Sequence, residues 1–380
     1  MHVVVLGAGY AGLTLTRRLE SRLPEAVDLT LVNDGPDHVL IHEIHRAIRR
    51  PGVVDAVSVS IAEVLDRAEL VDARVREVDV DAGKAVLHGD EIVSWDFGAV
   101  CLGSETAYYD IGGLREHAIP MKSLADAATV REGFQMLCET GGRAFVGGAG
   151  LSGVQVAGEL AAFSREEGVR VPDDVEVVLL EQFDEVAPSF PANFQRAVRE
   201  ELEARGVDVR TSTAVERVSA GAVSTDEGEL RYDQLIWTGG ITGTPATGGD
   251  RPTVRADLRA SDRTFALGDA ARIVDADGEP VPASASAAIR EARTAAENIA
   301  RLVEAERSGS DDGFRPRLDQ YRFDAPGWIV SVGDGTVAQV GSTVLRGGAA
   351  KAVKASVGAG YLTSIGAVRN AASLAEEELR

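Results

Sequence analysis

Val3-Val-Val-Leu-Gly-Ala-Gly-Tyr-Ala-Gly12 near the start of the chain and Arg143-Ala-Phe-Val-Gly-Gly-Ala-Gly-Leu-Ser-Gly153 in its middle share one pattern. An apolar run breaks into G-x-G-x-x-G and resumes with helical spacing. A chain with 41 glycines in 380 residues yields roughly 0.5 chance matches to that spacing, so context decides. His2 to Leu6 reads as a buried strand, and the helix that follows runs through Ala11, Leu15 and Leu19 to Arg22. The stretch from Leu151 to Phe163 reads as the equivalent helix. Gly7 and Gly148 make the tight turn, Gly9 and Gly150 let the backbone approach a pyrophosphate, and Gly12 and Gly153 let the helix pack on its strand. The helix N-terminus then offers unpaired N–H groups to the anion. Two such units predict an α/β chain with two Rossmann-like domains and two bound dinucleotides.

In each unit a second strand should end in a group that hydrogen-bonds a ribose. Val175 to Leu180 is that strand in the second unit, with Glu181 at its end, where a carboxylate accepts from a free 2′-OH and repels a 2′-phosphate. That favours NADH over NADPH. The polar stretch from Ser164 to Asp174 lengthens the gap before it. In the first unit Val27 to Val32 is the strand, followed by Asn33 and Asp34, and Asn33 can hydrogen-bond a ribose without charge.

The formal net charge is −21, with 60 acids against 39 lysines and arginines, and lysine occurs only at Lys84, Lys122, Lys351 and Lys354. Such a surface suits a halophilic, salt-rich cytoplasm, where the Debye length falls to about 3 Å. No basic stripe exists to neutralise phosphates, so a nucleic-acid partner is not expected. The first apolar run is the opening strand rather than a signal peptide, and no run of about 18 apolar residues predicts a membrane span. A cytoplasmic location is expected. Cys101 and Cys138 lie far apart and form no C-x-x-C, which argues against dithiol chemistry. His38, His42 and His45 could line one helical face as metal ligands. Without a clearly spaced further ligand, packing or hydrogen bonding is the preferred reading, and no metal is expected.

The units are interrupted rather than repeated end to end. Residues 1–108 hold the first unit and 109–240 the second. At 241–320 the chain returns to the first domain with Thr264-Phe-Ala-Leu-Gly-Asp269, a short strand ending in an acid, and an alanine-rich helix from Ser284 to Ala305. Ser308 to Gly313 is a polar linker. The tail, 321–380, offers strands near Trp328–Val332 and Thr336–Val340, then small and apolar residues at helical spacing. Its stripe Val357, Tyr361, Ile365 and Val368 could face a membrane or a second copy in a homodimer, or dock on the first domain.

Over residues 1 to about 345 the chain resembles the two-dinucleotide flavoprotein reductases, most closely the type II NADH dehydrogenases. The resemblance is carried by Val3 to Gly12, Val100-Cys-Leu-Gly-Ser104, Gly112 to Ala118 with Lys122-Ser-Leu, Ile236-Trp-Thr-Gly-Gly-Ile241 and Phe265-Ala-Leu-Gly-Asp-Ala270. It implies FAD held by Gly7, Gly9, Ala11 and Gly12, with Asn33 at the adenosine ribose, Val75 at the adenine through its backbone, and Gly103 and Ser104 on the flank. It places Gly268 and Asp269 on the flavin side, the carboxylate accepting from a ribityl hydroxyl. NADH would lie on Gly148, Gly150, Leu151, Gly153, Glu181 and Gly239. The implied activity passes two electrons from NADH through FAD to a quinone or similar acceptor, by cofactor chemistry that requires no catalytic side chain, at the cytoplasmic face of the cell membrane. Two departures stand out. Gln155 replaces a usual glutamate, and Ser286 and Arg290 replace two glutamines on the quinone-facing helix, which leaves Arg290 to contact the quinone. The alternatives are a reductase with a soluble acceptor, a sulfide:quinone type, which needs paired cysteines this chain lacks, and a flavin- and NAD(H)-binding redox sensor with negligible turnover.

Overall fold

The computed structural model describes residues 1–168, 174–226, 228–309 and 316–379. The chain opens with strand β1 (His2–Leu6), helix α1 (Tyr10–Arg22) and strands β2 (Asp28–Asn33), β3 (Glu69–Asp72) and β4 (Phe97–Val100). Helix α2 (Leu124–Thr140) leads into β5 (Gly142–Gly147), helix α3 (Leu151–Glu166) and strands β6 (Val175–Leu180), β7 (Asp208–Arg210) and β8 (Gln234–Trp237). Strand β9 (Thr264–Ala266) and helix α4 (Ala285–Arg307) follow. Strands β10 (Gly327–Val332), β11 (Gly335–Val340) and β12 (Thr343–Arg346) and helices α5 (Gly347–Ser364) and α6 (Val368–Leu379) close the chain.

The two glycine units build two equivalent parallel sheets. The first has the order β9-β4-β1-β2-β3. In the second the two-residue strand Ile119–Pro120 is followed by β8, β5, β6 and β7. Within them β1 lies beside β2 from His2 opposite Asp28 to Leu6 opposite Val32, and β5 beside β6 from Gly142 opposite Val175 to Gly147 opposite Leu180. Helices cover the sheets, so the central strands are buried and read as continuous apolar runs rather than alternating ones. Strand β9 lies beside β4, which brings the chain back to the first sheet. Each unit also carries a three-stranded antiparallel sheet, formed by 75–79, 84–87 and 92–94 in the first and by 215–219, 222–225 and 228–231 in the second. Their outer strands are mostly exposed and their middle strands only four residues long, and the sequence reading does not foresee them.

Several boundaries move. The strand expected at Val27–Val32 runs Asp28–Asn33, and the helix expected from Ser284 starts at Ala285, with the Ser284 side chain capping it by accepting from the Ala287 N–H at 3.2 Å. In the tail, β12 is a third strand that the expected pattern lacks. The polar stretch 164–174 and the linker 308–313 lie partly outside the described residues.

The tail packs on helix α3 and on residues that follow β2. A Cβ at Gly158 of α3 would stand 2.5 Å from the Gly333 nitrogen, so only glycine permits this approach of helix to hairpin. The expected apolar stripe splits, because Tyr361 and Ile365 are buried while Val357 and Val368 are exposed. Beneath this contact lies a buried ion network. The Lys354 Nζ donates to Glu43 Oε2 at 2.8 Å and to Ser331 Oγ at 2.7 Å, and it pairs with Glu378 at 2.8 Å. Arg46 pairs with Glu378 at 2.7 Å. Burial alone would raise the Glu43 carboxyl, but Lys354 and then His42 outweigh it and hold it well below its ordinary range. Removing one partner of such a network strands a buried charge at a cost of about 3–5 kcal/mol. Lys354→Met is therefore expected to lose stability of that order in denaturant unfolding. The double variant Lys354→Met/Glu43→Gln should recover part of it.

Candidate functional site: two dinucleotide cavities with a common wall

Each glycine turn forms a cradle of the same shape. Gly7 has φ +95°, and a Cβ there would stand 2.5 Å from the Cys101 carbonyl oxygen. Gly148 has φ +92°, and its Cβ would meet Gly239 Cα at 2.5 Å. By contrast, a Cβ at Gly9 or Gly150 would meet nothing within 4 Å, so open space lies where a pyrophosphate must approach. Gly9 and Gly150 are also the N-caps of α1 and α3, and neither makes a side-chain cap bond, so the first-turn N–H groups face that space.

The residue after each second strand clamps its cradle in the same way. Asn33 Oδ1 accepts from the Ala8 N–H at 2.8 Å, and Glu181 Oε2 accepts from the Ala149 N–H at 2.7 Å. Glu181 Oε1 also accepts from the Phe183 N–H at 3.0 Å, and the Asn33 Nδ2 donates to the Gly35 carbonyl at 2.8 Å. Asn33 is thus engaged with its own loop, while Asp34 beside it is largely exposed and lines the same space.

Three cavities follow from this. One of about 490 Å³ is lined by Gly7, Gly9, Asn33, Val75 and Gly103 among others. It is continuous through Gly9, Asn33 and Gly103 with a second of about 510 Å³, lined by Ala11, Ser104, Gly268 and Asp269. A third of about 520 Å³ lies over Gly148, Gly150, Glu181 and Gly239. The second and third share the wall Trp237, Thr238 and Gly240. Residues 1–292 match the model of the pyridine nucleotide-disulphide oxidoreductases.

The chain belongs to the pyridine nucleotide-disulphide oxidoreductase family. The NADH dehydrogenase-like protein YutJ of Bacillus subtilis is 28% identical over 243 residues, 63% of this chain and 65% of that protein. A type II NADH:quinone oxidoreductase of Staphylococcus aureus is 26% identical over 334 residues, 80% of this chain and 83% of that protein. In fold, the structure of NDH2 from Plasmodium falciparum in complex with NADH covers 100% of this chain and 97% of its own, with a TM-score of 0.82 at 14% identity. The sulfide:quinone oxidoreductase of Aquifex aeolicus covers 97% and 92%, with a TM-score of 0.80 at 16% identity.

As a family member the chain is an FAD- and pyridine-nucleotide-dependent oxidoreductase, but it lacks the dithiol of the family's name. Cys101 and Cys138 are free thiols, and burial pushes both upward in pKa, away from the reactive thiolate. Cys101 instead lies under the first cradle, its Cβ 3.2 Å from where a Gly12 Cβ would be.

Not every expected site residue reaches a cavity. Gly12 and Gly153 lie beneath their turns, and Leu151 packs against the core. Ser286 and Arg290 do not line the cavity either. The α4 face that does is Ser284, Ala285 and Ala288. At 100° per residue, positions 286 and 290 point away from 284 and 288. Likewise His38, His42 and His45 do not share a helical face. His38 lies in the short strand Asp37–Val39 and His42 in the single turn Ile41–Glu43. His38 donates Nδ1–H to the Ala8 carbonyl at 2.8 Å, so its Nε2 accepts from the Tyr361 hydroxyl at 2.9 Å. Burial and then His42 push His38 down to about 4, which keeps it neutral.

Several site residues escape the sequence reading. The Trp237 indole fills the common wall, leaves no room for a Cβ at Gly147 or Gly239, and donates Nε1–H to the Ala107 carbonyl at 2.8 Å. Lys122 donates to Ser104 Oγ at 3.1 Å, and Ser104 donates to Asp269 Oδ2 at 3.2 Å. Tyr10 hydrogen-bonds His42 Nδ1 at the cavity edge, and the Gln155 Nε2 donates to the His42 carbonyl at 3.4 Å.

Glu291 lies buried behind Asp269, where its Oε2 accepts from the Gly268 N–H at 2.7 Å. Burial is the larger influence, with the Asp269 charge adding to it, and together they hold Glu291 up to about 7 against the hydrogen bond from Gly268. The folded state therefore keeps a proton that the unfolded chain loses near its ordinary value of 4.5. Stability should fall as pH rises between those values, by about 3 kcal/mol at roughly 1.4 kcal/mol per pH unit. Glu291→Gln keeps an acceptor for Gly268 and should remove this share of the slope. Denaturant unfolding of both proteins across that window measures the difference.

Proposed function

We propose that this chain is an FAD-dependent NADH dehydrogenase that passes two electrons to a quinone or similar small acceptor. The observation that carries the reading is the common wall of Trp237, Thr238 and Gly240. Along it the cavity over Gly148 and Gly150, which would take NADH with its pyrophosphate at the glycine turn, adjoins the cavity beside Asp269 that would take the flavin. When bound, the flavin supplies the hydride-accepting chemistry.

The chain's own residues hold and orient. Gly7, Gly9 and the α1 N-terminus take the FAD pyrophosphate, Asn33 and Asp34 stand at the adenosine ribose, and Val75 lines the adenine end. Asp269 accepts from a ribityl hydroxyl, and Lys122, drawn to it through Ser104, sets a positive charge beside the flavin. Gly148, Gly150, Glu181 and Gly239 hold NADH. Glu181 is fixed by two backbone N–H groups, and its carboxylate would face a 2′-phosphate as a like charge. The relatives named NADH dehydrogenase-like and NADH:quinone oxidoreductase support this donor and acceptor.

The acceptor side of the flavin cavity would be the part lined by Tyr10, His42 and Ser284, where the hydrogen-bonded Tyr10–His42 pair and the Ser284 hydroxyl would face a quinone carbonyl. A membrane quinone would bring the protein to the cytoplasmic face of the membrane. Among the described residues no helix is long and apolar enough to cross a membrane, so attachment would be peripheral, with the exposed Val357 and Val368 in contact.

Two measurements test this. Wild-type flavin should be reduced faster by NADH than by NADPH at low concentration. Glu181→Gln should narrow that preference by about tenfold, near 1.4 kcal/mol, and equal rates in the wild type would remove Glu181 from the ribose. In stopped flow, Tyr10→Phe should slow reoxidation by quinone up to about tenfold, the worth of one hydrogen bond. Arg290→Ala should leave that half-reaction unchanged.

A further inference from the structure

At the C-terminal end of α1, away from both dinucleotide sites, a smaller cavity of about 210 Å³ is lined by Arg17, Arg18, Ser21, Arg22, Arg293 and Ser364 among others. Three elements converge there: α1, α4 through Arg293, and the end of α5 through Ser364. No carboxylate lines it, although the chain carries 60 acids against 39 basic residues. Two of the arginines are neutralised by neighbours. Arg17 pairs with Glu20 at 2.6 Å and Asp66 at 2.7 Å, and Arg22 pairs with Glu297 at 2.5 Å. Arg18 and Arg293 have no carboxylate at ion-pair distance among the described residues. Burial, then the like charges of Arg293 and Arg22, push the Arg18 pKa down against the smaller pull of Glu297. The helix macrodipole at the end of α1 explains a cation at Arg22, but Arg293 belongs to another helix.

We propose that this cavity binds a phosphate-sized oxyanion between the guanidinium groups of Arg18 and Arg293, beside Ser21 and Ser364, whose hydroxyls donate to the Arg18 and Tyr361 carbonyls. Planar guanidinium groups present paired N–H donors that match two oxygens of such an anion. The space equals about seven water volumes at roughly 30 Å³ each, and it is less than half of either dinucleotide cavity adjoining the common wall. A phosphate group fits. The 13 residues of α1 set Arg22 about 18 Å from Tyr10, so the site is separate from the FAD cradle. The anion is either free phosphate or the phosphate of a lipid headgroup.

The test uses FAD-loaded full-length protein at one fixed ionic strength. Inorganic phosphate is titrated calorimetrically, and vesicles of phosphatidylglycerol or phosphatidylcholine are tested by flotation. The double variant Arg18→Gln/Arg293→Gln is compared with Arg217→Gln/Arg231→Gln, which removes the same charge from the antiparallel sheet of the second unit. Melting temperature and flavin reduction by NADH verify that each variant is folded. Saturable phosphate binding that weakens at least tenfold only in the cavity variant assigns free phosphate. Flotation with phosphatidylglycerol alone, lost only in the cavity variant, assigns the lipid headgroup. No binding in either arm, or equal losses in both double variants, overturns the proposal.

Discussion

In each dinucleotide unit the helix lies so close on its own turn that a Cβ at Gly12 would stand 1.7 Å from the Gly7 carbonyl oxygen. One at Gly153 would stand 1.8 Å from that of Gly148. No side chain fits there, and the rest of the site follows from that contact. It brings the first-turn N–H groups of α1 and α3 to the ends of β1 and β5, with open space above Gly9 and Gly150. The backbone then supplies what a pyrophosphate needs, partial positive charge without a side chain in the way. Asn33 and Glu181 fasten the two turns through the Ala8 and Ala149 N–H groups, so the residue at the end of the second strand of each unit also holds its glycine turn.

Around the flavin cavity, charge is arranged by burial as much as by pairing. Lys122 is drawn to Asp269 through Ser104, while burial makes its charge costly. Arg251 gives its N–H groups to the carbonyls of Asp269 and Ala271, at 2.6 and 2.8 Å, and so stiffens the turn that carries the aspartate. Glu291 supports the same turn from behind. On the other side His38 stays neutral between Ala8 and Tyr361, and the Glu43–Lys354 pair ties this edge to the C-terminal strands and helices. The C-terminal region is thereby joined to the His38–His42 edge of the cavity.

The parts legible in the sequence were local ones. The glycine spacings, the run Val175–Leu180 with Glu181 after it, and the return strand ending in Asp269 each sit within a few residues of the backbone feature they create. What stayed hidden depends on residues distant in sequence. Nothing near Lys122 announces Ser104 and Asp269, and nothing near Lys354 announces Glu43. Trp237 was visible within Trp-Thr-Gly-Gly, yet its place on the wall between two cavities needs both sheets. Ser286 and Arg290 were placed by the family resemblance rather than by helix phase, and neither lines the cavity beside Asp269. Ser284 as the cap, with Ala288 and Glu291 at helical spacing from it, already marks the inward face.

NADH and FAD are proposed to meet where the two cavities adjoin, beside Trp237, Thr238 and Gly240. Anaerobic mixing of the flavin-loaded protein with NADH, unlabelled or deuterated at the transferred position of nicotinamide C4, tests it most directly. The flavin should bleach with one equivalent of NADH, and more slowly with the deuterated form, because hydride would pass directly from the nicotinamide to the flavin. A flavin that stays oxidised under saturating NADH would contradict it.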